Sequence, residues 1–558
     1  MHTEMPLDPG LVTAQRPVSI GVITSHPWLL ALLASLPIGW LVACYFLGAP
    51  PGTRATGFIQ YDQAYYMAEA REHWDGGFHL LYGLPASPDI DTPRVYFRLQ
   101  TLFLGTLGKL TGAEPGWIYA AFGLVATVVF FRLAVALYGS VVGLRSRAEC
   151  LVLPLFLWGG GFTVLCGLLL QLSAGTGMFA FDTGGWGANL GRGVIYGIEA
   201  YYHALFFGAV LALLRRWYAA ALVLLAAVCA SHPFTGMELA SFLVGWVIFE
   251  RVVDSRTVPP LWFSVGVLSL LLAHAGYWLI LLPLLSPEHA ALAPSWNVAW
   301  VLHWYNEVPE YGVVGAAALW RVRDRQRIAA ALADRSFQIL LAWFGAAFLL
   351  ANHDLFMSPR QPLHFTHGYV WVPLFLIGAP TFVEIAEHLL ALPRRVGAVW
   401  LISLSGLMLF DNAAWFGGAG LDLLRDGKSA SFFPNAIYIG GSARDVLHRL
   451  NDAEFADGLV VSNSQFLSYQ AIVYTPLRTW YSQMWNTPYP QKRVAELDAL
   501  FSAGEDLAAW RCRQMVAVVE RQKDPGASDR LLTLGYGLAY ANADYDVLLR
   551  PARSDCTG

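Results

Sequence analysis

Charge is what this chain of 558 residues has least of. Only 14% of its residues are charged, against about a quarter in soluble domains, while 56% are hydrophobic and the mean hydropathy is +0.46. So few charges cannot solvate a water-soluble globule, and the composition predicts a polytopic, α-helical membrane protein. A basic excess is missing too. The formal net charge of -4 excludes nucleic acid as a partner, since such binders carry a basic patch or stripe. Six cysteines are present without a CxxC pair, which excludes a zinc ribbon and a disulfide framework. Cys44, Cys150, Cys166 and Cys229 fall in or beside apolar runs. Cys512 and Cys556 can pair only if the C-terminal region is extracytoplasmic. No internal repeat or low-complexity tract is evident, and Gly440-Gly441 lacks the surroundings of a phosphate loop. No small-residue cleavage site follows the first apolar stretch, so that stretch is expected to stay as the first helix.

What is present is a series of apolar runs. A helix crossing about 30 Å of hydrocarbon needs about 20 mostly apolar residues. Runs at 27–49, 116–138, 148–172, 198–214, 217–232, 237–253, 260–284, 299–320, 336–352, 363–388 and 396–414 predict about eleven crossings. Arginines gather at Arg145/Arg147, Arg215/Arg216, Arg251/Arg256, Arg321/Arg323/Arg325/Arg327 and Arg394/Arg395, in alternate loops. The positive-inside rule places those loops and the N-terminus in the cytoplasm, and the loop 50–115 outside, in a cell (inner or plasma) membrane. Residues 95–111 are apolar, but they include Arg98, Gln100 and Lys109, and charge is expensive at mid-membrane. They are expected to form an interfacial helix rather than a twelfth span. The membrane domain is thus 1–416. Beyond Phe416 charge density rises, and short apolar runs (459–462, 515–519, 545–549) alternate with helical patterns (443–450, 493–501). That pattern predicts a small α/β domain over 417–558, and odd crossing parity puts it outside.

The outer loop 50–115 is the most informative stretch. Asp62 opens an expected amphipathic interfacial helix that carries Tyr65, Tyr66, Glu69 and Arg71. Asp62 is read in two ways: as a helix cap set against the positive helix end, or as a general base facing a membrane-edge cavity. A second polar cluster, Arg360, His364 and His367, lies at one outer edge, with the two histidines one helical turn apart. It offers donors for a phosphate, against the alternative of headgroup anchoring. A zinc reading of His353, His364 and His367 has loose spacing. Asp182 and Glu199 flank a Gly-rich loop able to close over a sugar, and His303 and Trp304 carry the side chains that line sugar sites or any interfacial belt. Ser231-His232-Pro233, with Glu238 beyond it, reads as a structural turn.

An outer loop that follows the first span and opens with Asp62 before paired aromatics resembles the GT-C glycosyltransferases that use polyprenyl-phosphate sugars, including protein O-mannosyltransferases and lipid A aminoarabinose transferases. The segment Asp91-Thr-Pro93-Arg-Val-Tyr96, leading into an apolar interfacial helix, is similar to theirs. So is Arg478-Thr-Trp480-Tyr481, followed by Asn486-Thr487-Pro488 and Arg493. Many relatives have Asp-Glu at the loop's start, whereas Gln63 follows Asp62 here, which weakens a metal held there. The resemblance implies transfer of a sugar from a polyprenyl-phosphate donor to an extracytoplasmic acceptor with inversion. Asp62 would be the base, and Arg360 with His364, His367 and Arg98 would hold the phosphate. No cofactor is implied, and a divalent metal is not indicated; the partners are donor, acceptor and membrane lipids. The rival readings are a transporter or lipid flippase, which would place ionisable groups near the midplane, and an inactive scaffold.

Overall fold

The computed structural model describes residues 26–89, 91–174, 188–253, 258–427 and 437–552. Five helices are long and apolar enough to cross a membrane: Pro115–Val141, Gly197–Leu214, Leu261–Leu285, Trp371–Ala391 and Arg394–Arg425. Three bent pairs, if each is one span, raise that to eight. Each of the eleven apolar runs holds a helix, but length and composition support five to eight crossings among the described residues. Exposed apolar side chains such as Leu29, Leu33, Trp40, Val125 and Leu268 form the surface that lipid would cover. Close backbone approach holds the bundle together where side chains are absent. A Cβ at Gly123 would lie 2.8 Å from the Gly197 Cα, so only glycine admits this crossing, the usual role of small residues between membrane helices.

One bent pair shows how charge is accommodated inside the bundle. Arg147–Trp158 and Thr163–Ser173 meet at 65° across Gly159-Gly160-Gly161. A Cβ on Gly161 would fall 2.2 Å from the Glu310 Cα, so the break is enforced by crowding. The second half-helix begins with unpaired N–H groups, and buried Asp411 accepts from the Val164 and Leu165 amides at 3.1 and 3.3 Å. Arg192 lies 3.6 Å from Asp411 and donates to Asn412 at 2.9 Å, while Thr163 and Asn189 donate to Glu310. These intramembrane charges serve one another.

At one end of the bundle sits a platform built from the 50–115 loop. Residues 95–111 give a helix of 13 residues, Leu99–Thr111, too short to cross, with Phe103 and Leu110 exposed on one side. The helix opened by Asp62 spans Gln63–Glu72, and it corrects the amphipathic expectation. Gln63, Glu69 and Glu72 are buried along with its alanines, because the helix is sandwiched rather than laid on a surface. Its Ala70 carbonyl passes so close to Gly105 that a Cβ there would sit 2.1 Å away.

The C-terminal region folds into a five-stranded mixed sheet with strand order β4-β3-β5-β7-β6. Its strands are β3 (Leu459–Ser462), β4 (Arg478–Thr479), β5 (Met515–Glu520), β6 (Gly537–Ala541) and β7 (Tyr545–Arg550). β3 runs parallel to β4 and β5, and β7 antiparallel to β5 and β6. Successive residues of β5 alternate between two cores, Met515, Ala517 and Val519 on one face and Val516 and Val518 on the other. A strand covered on both faces therefore reads as a continuous apolar run. The last long helix continues to Asp426, past the boundary expected at 416. Cys512 is disulfide-bonded while the four cysteines nearer the N-terminus are free; Cys556 lies outside the described residues.

Platform and C-terminal region are joined by main chain as well as side chain. β1 (Thr53–Ala55) pairs antiparallel with β2 (Tyr438–Gly440). The Tyr45 hydroxyl donates to the Ile437 carbonyl at 2.6 Å and accepts from the Thr56 and Gly57 amides at 3.0 and 3.2 Å. Tyr45→Phe orphans these buried groups, so it should destabilise the protein by about 1–3 kcal/mol, read as an earlier melt in detergent. An unchanged melt would show the hydroxyl to be dispensable.

Candidate active site

Asp62 occupies the position before its helix but makes no capping hydrogen bond, so the structure does not bear out the cap reading. Its carboxylate accepts instead from Gln60 Nε2 at 3.1 Å and from Gln483 Nε2 of the C-terminal region. Gln483 is itself fixed, its backbone amide donating to the Thr487 hydroxyl at 3.2 Å, and the Tyr469 hydroxyl holds the Tyr61 carbonyl at 2.7 Å. Burial raises the Asp62 pKa, and the two amide donors pull it back down. Asp62 nonetheless keeps solvent access. A carboxylate that is partly desolvated, open on one side and held by neutral amides is suited to taking a proton.

From Asp62 a continuous ring of side chains can be followed. Tyr196 senses both Asp62 and Glu199; burial and then these two carboxylates hold its phenol above the usual range. Glu199 Oε2 lies 3.5 Å from His367 Nδ1. His367 stacks on His364 with ring centroids 5.5 Å apart, and His364 faces Trp300 at 6.1 Å. Trp300 meets Trp485 at 5.7 Å, and Trp485 is two residues from Gln483, which returns to Asp62. This series of neighbours therefore links Asp62 with the 360–368 loop.

That loop is held in an unusual backbone path. Gln361, His367 and Gly368 have φ of 50°, 22° and 78°, a region that non-glycine residues enter rarely. Its amides pay for this by zipping to the neighbouring segment, Gln361 N donating to Val298 O at 3.0 Å and Leu363 N to Trp300 O at 2.8 Å. His353 receives the Arg360 backbone amide on Nε2 at 2.9 Å and turns Nδ1 to the Leu350 carbonyl. Both of its nitrogens are thus committed, and no group of three His, Cys, Asp or Glu among the described residues is placed to hold a metal. The Arg360 side chain is exposed and has no partner among the described residues. Burial lowers both His364 and His367 to about 3. As they stand they are neutral hydrogen-bonding groups, not the cations expected from the sequence.

The remaining candidates divide. Arg98 is tied to Glu69 at 2.9 Å and packs near the Tyr66 and Trp278 rings, so its charge is already matched. Tyr66 is half-buried beside it, whereas Tyr65 points into the apolar core. His303 stacks on Tyr305, and Trp304 is 74% exposed; no described contact brings either to Asp62. Asp182 lies outside the described residues. Glu238 is fully buried with neither oxygen bonded. Sequence reasoning missed Gln60, Gln483, Tyr196, Trp300 and Trp485. The one usable signal was the segment around Trp480 to Arg493, which contains Gln483, Trp485 and Thr487.

No protein-family model matches the chain, and no curated protein does. Among solved structures, the chain is similar to ArnT from Cupriavidus metallidurans bound to undecaprenyl phosphate, with 14% identity over 97% of this chain and 99% of that one and a TM-score of 0.46. It is also similar to the Archaeoglobus fulgidus oligosaccharyltransferase tethered to an acceptor peptide, with 10% identity, 95% and 74% coverage and a TM-score of 0.45. The same oligosaccharyltransferase with zinc and sulfate gives 10% identity, 90% and 69% coverage and a TM-score of 0.49. At these identities and TM-scores the likeness carries no argument, and the activity has to be read from the residues.

Gln483→Leu removes one of the two donors that lower the Asp62 pKa. If ionised Asp62 is the base, activity falls as pH drops through that pKa. The variant should therefore move the acid limb of the pH–rate profile to higher pH, with activity recovered at alkaline pH. A limb that stays in place would detach Gln483 from the chemistry.

Proposed function

We propose that this protein is a membrane glycosyltransferase that moves a sugar from a polyprenyl-phosphate donor to the hydroxyl of an extracytoplasmic glycan, lipid or protein. The observation that supports the reading is the series of neighbours from Asp62 through Glu199 and His367 to the loop that carries the exposed Arg360. Asp62 takes the proton of the acceptor hydroxyl as its oxygen attacks the anomeric carbon. The bond from that carbon to the phosphate oxygen breaks on the opposite side, and the phosphate leaves with the electron pair. Attack from the face opposite the leaving group inverts the anomeric centre. Arg360 receives the phosphate, forked guanidinium to oxygens, and the neutral His364 and His367 add hydrogen bonds to the leaving group. A polyprenyl phosphate is itself a good leaving group, so this route asks for no nucleotide. The reading also places the Arg394/Arg395 loop in the cytoplasm and the five-stranded sheet outside.

A transporter would be expected to keep unmatched ionisable groups near mid-membrane. Arg192 is paired with Asp411, which accepts from the half-helix after Thr163, and Glu310 accepts from Thr163 and Asn189, which favours a structural role for these three, while Glu238 is buried with neither oxygen bonded.

Asp62→Asn preserves size and most hydrogen bonding while removing the base. Transfer from labelled polyprenyl-phosphate sugars, measured in lipid nanodiscs, should fall about 10²- to 10⁴-fold, with binding of sugar-free polyprenyl phosphate unchanged. Near-native turnover in this variant would refute the assignment.

A further inference from the structure

The ring contains a feature that neither the base nor the phosphate loop uses. Trp300 and Trp485 form an edge-to-face pair between the two, their centroids 5.7 Å apart and planes at 70°. Trp300 is 39% exposed although it adjoins His364, and Trp485 is half-buried. Both are fixed by main chain. The Trp485 carbonyl accepts from the Trp296 indole at 2.9 Å, and the Trp300 carbonyl is held by the Leu363 amide at 2.8 Å. The pair is therefore a rigid aromatic surface, open on one side, that spans from the imidazole of His364 towards the Gln483 that grips Asp62.

We infer that this pair is the seat of the transferred sugar and that the sugar carries no carboxylate; the inference rests on the donor reading above. The position follows from connectivity. The attacked anomeric carbon is bonded to the phosphate oxygen, and in-line attack puts the acceptor hydroxyl and its base on the opposite side, so the sugar sits between phosphate loop and base, where the two indoles also lie. The chemistry follows from the surroundings. Indole faces match the C–H face of a sugar ring, and the half-buried Asn486 amide offers a neutral partner to a hydroxyl. Asp62, ionised as the base, would repel a carboxylated sugar. The aromatic surface is supplied by Trp300 and Trp485 rather than by Trp304, whose described ring contact is with Tyr305.

The test compares two ligands, a polyprenyl-phosphate hexose and sugar-free polyprenyl phosphate, titrated against the full-length protein in nanodiscs. Wild type should bind the sugar-bearing ligand more tightly. Trp300→Ala should weaken that ligand about three- to tenfold, the scale of one aromatic contact, and leave the sugar-free ligand unchanged. Trp300→Phe should restore most of the difference, which separates a binding surface from a folding defect. A polyprenyl-phosphate uronic acid should bind no better than the sugar-free ligand. Equal loss for both ligands in Trp300→Ala, or no loss for either, overturns the sugar seat while leaving the donor reading standing. A wild-type protein that binds neither ligand overturns both.

Discussion

The position of Asp62 depends on one crowded crossing at the outer end of the first apolar helices. There the Tyr45 hydroxyl is hydrogen-bonded to Thr56, Gly57 and Ile437, so a single phenol joins the membrane bundle, the outer loop and the C-terminal region. Gly57 has a φ of 103°, and a Cβ there would lie 2.1 Å from the Gly116 carbonyl oxygen. The chain can make this turn only with glycine at that position. Five residues on, Asp62 is delivered against Gln483, which comes from the other side of the joint. The carboxylate is thus set by two parts of the chain that meet only when the whole protein is folded, which is how a reacting group is held without a strained rotamer of its own.

Charge is distributed on the same plan. Inside the bundle, Asp411 is spent on the amides of a half-helix and on Arg192. On the platform, Glu69 neutralises Arg98 and Glu72 pairs with Arg478 at 2.7 Å, which ties the buried helix to the sheet. Arg360 is left exposed at the cleft, and Asp62 is held by amides rather than by a cation. An arginine beside Asp62 would hold its pKa low and weaken it as a base. Neutral donors orient the carboxylate with less loss of basicity, and the separation leaves space for a sugar between the two groups.

Much of this architecture is legible in the sequence, but unevenly. Apolar runs mark the helices because lipid imposes length and composition together, and the run at 515–519 marks a strand because both of its faces are covered. The end of the last long helix is not legible at 416, because its final turns leave the apolar pattern while continuing as helix to Asp426. The helix Gln63–Glu72 looks amphipathic because its polar residues find partners far away, Glu72 at Arg478 and Glu69 at Arg98. In the site, Asp62 and the Arg360 loop stand out as chemistry-bearing residues. Gln483 does not, since nothing local distinguishes a glutamine that meets a carboxylate 421 residues away. Trp300 is hidden for the opposite reason: tryptophans are common at membrane edges, and only the fold shows which one adjoins the histidines.

The central claim is that one outer cleft holds a lipid phosphate opposite Asp62. Its most direct test is a cryo-electron-microscopy structure of the protein in nanodiscs with polyprenyl phosphate bound. The account predicts phosphate density within hydrogen-bonding distance of the Arg360 guanidinium and His364, with Asp62 across the cleft and the Trp300–Trp485 pair between them. Phosphate seated against Arg98 or on the Arg394/Arg395 side of the bundle would contradict it.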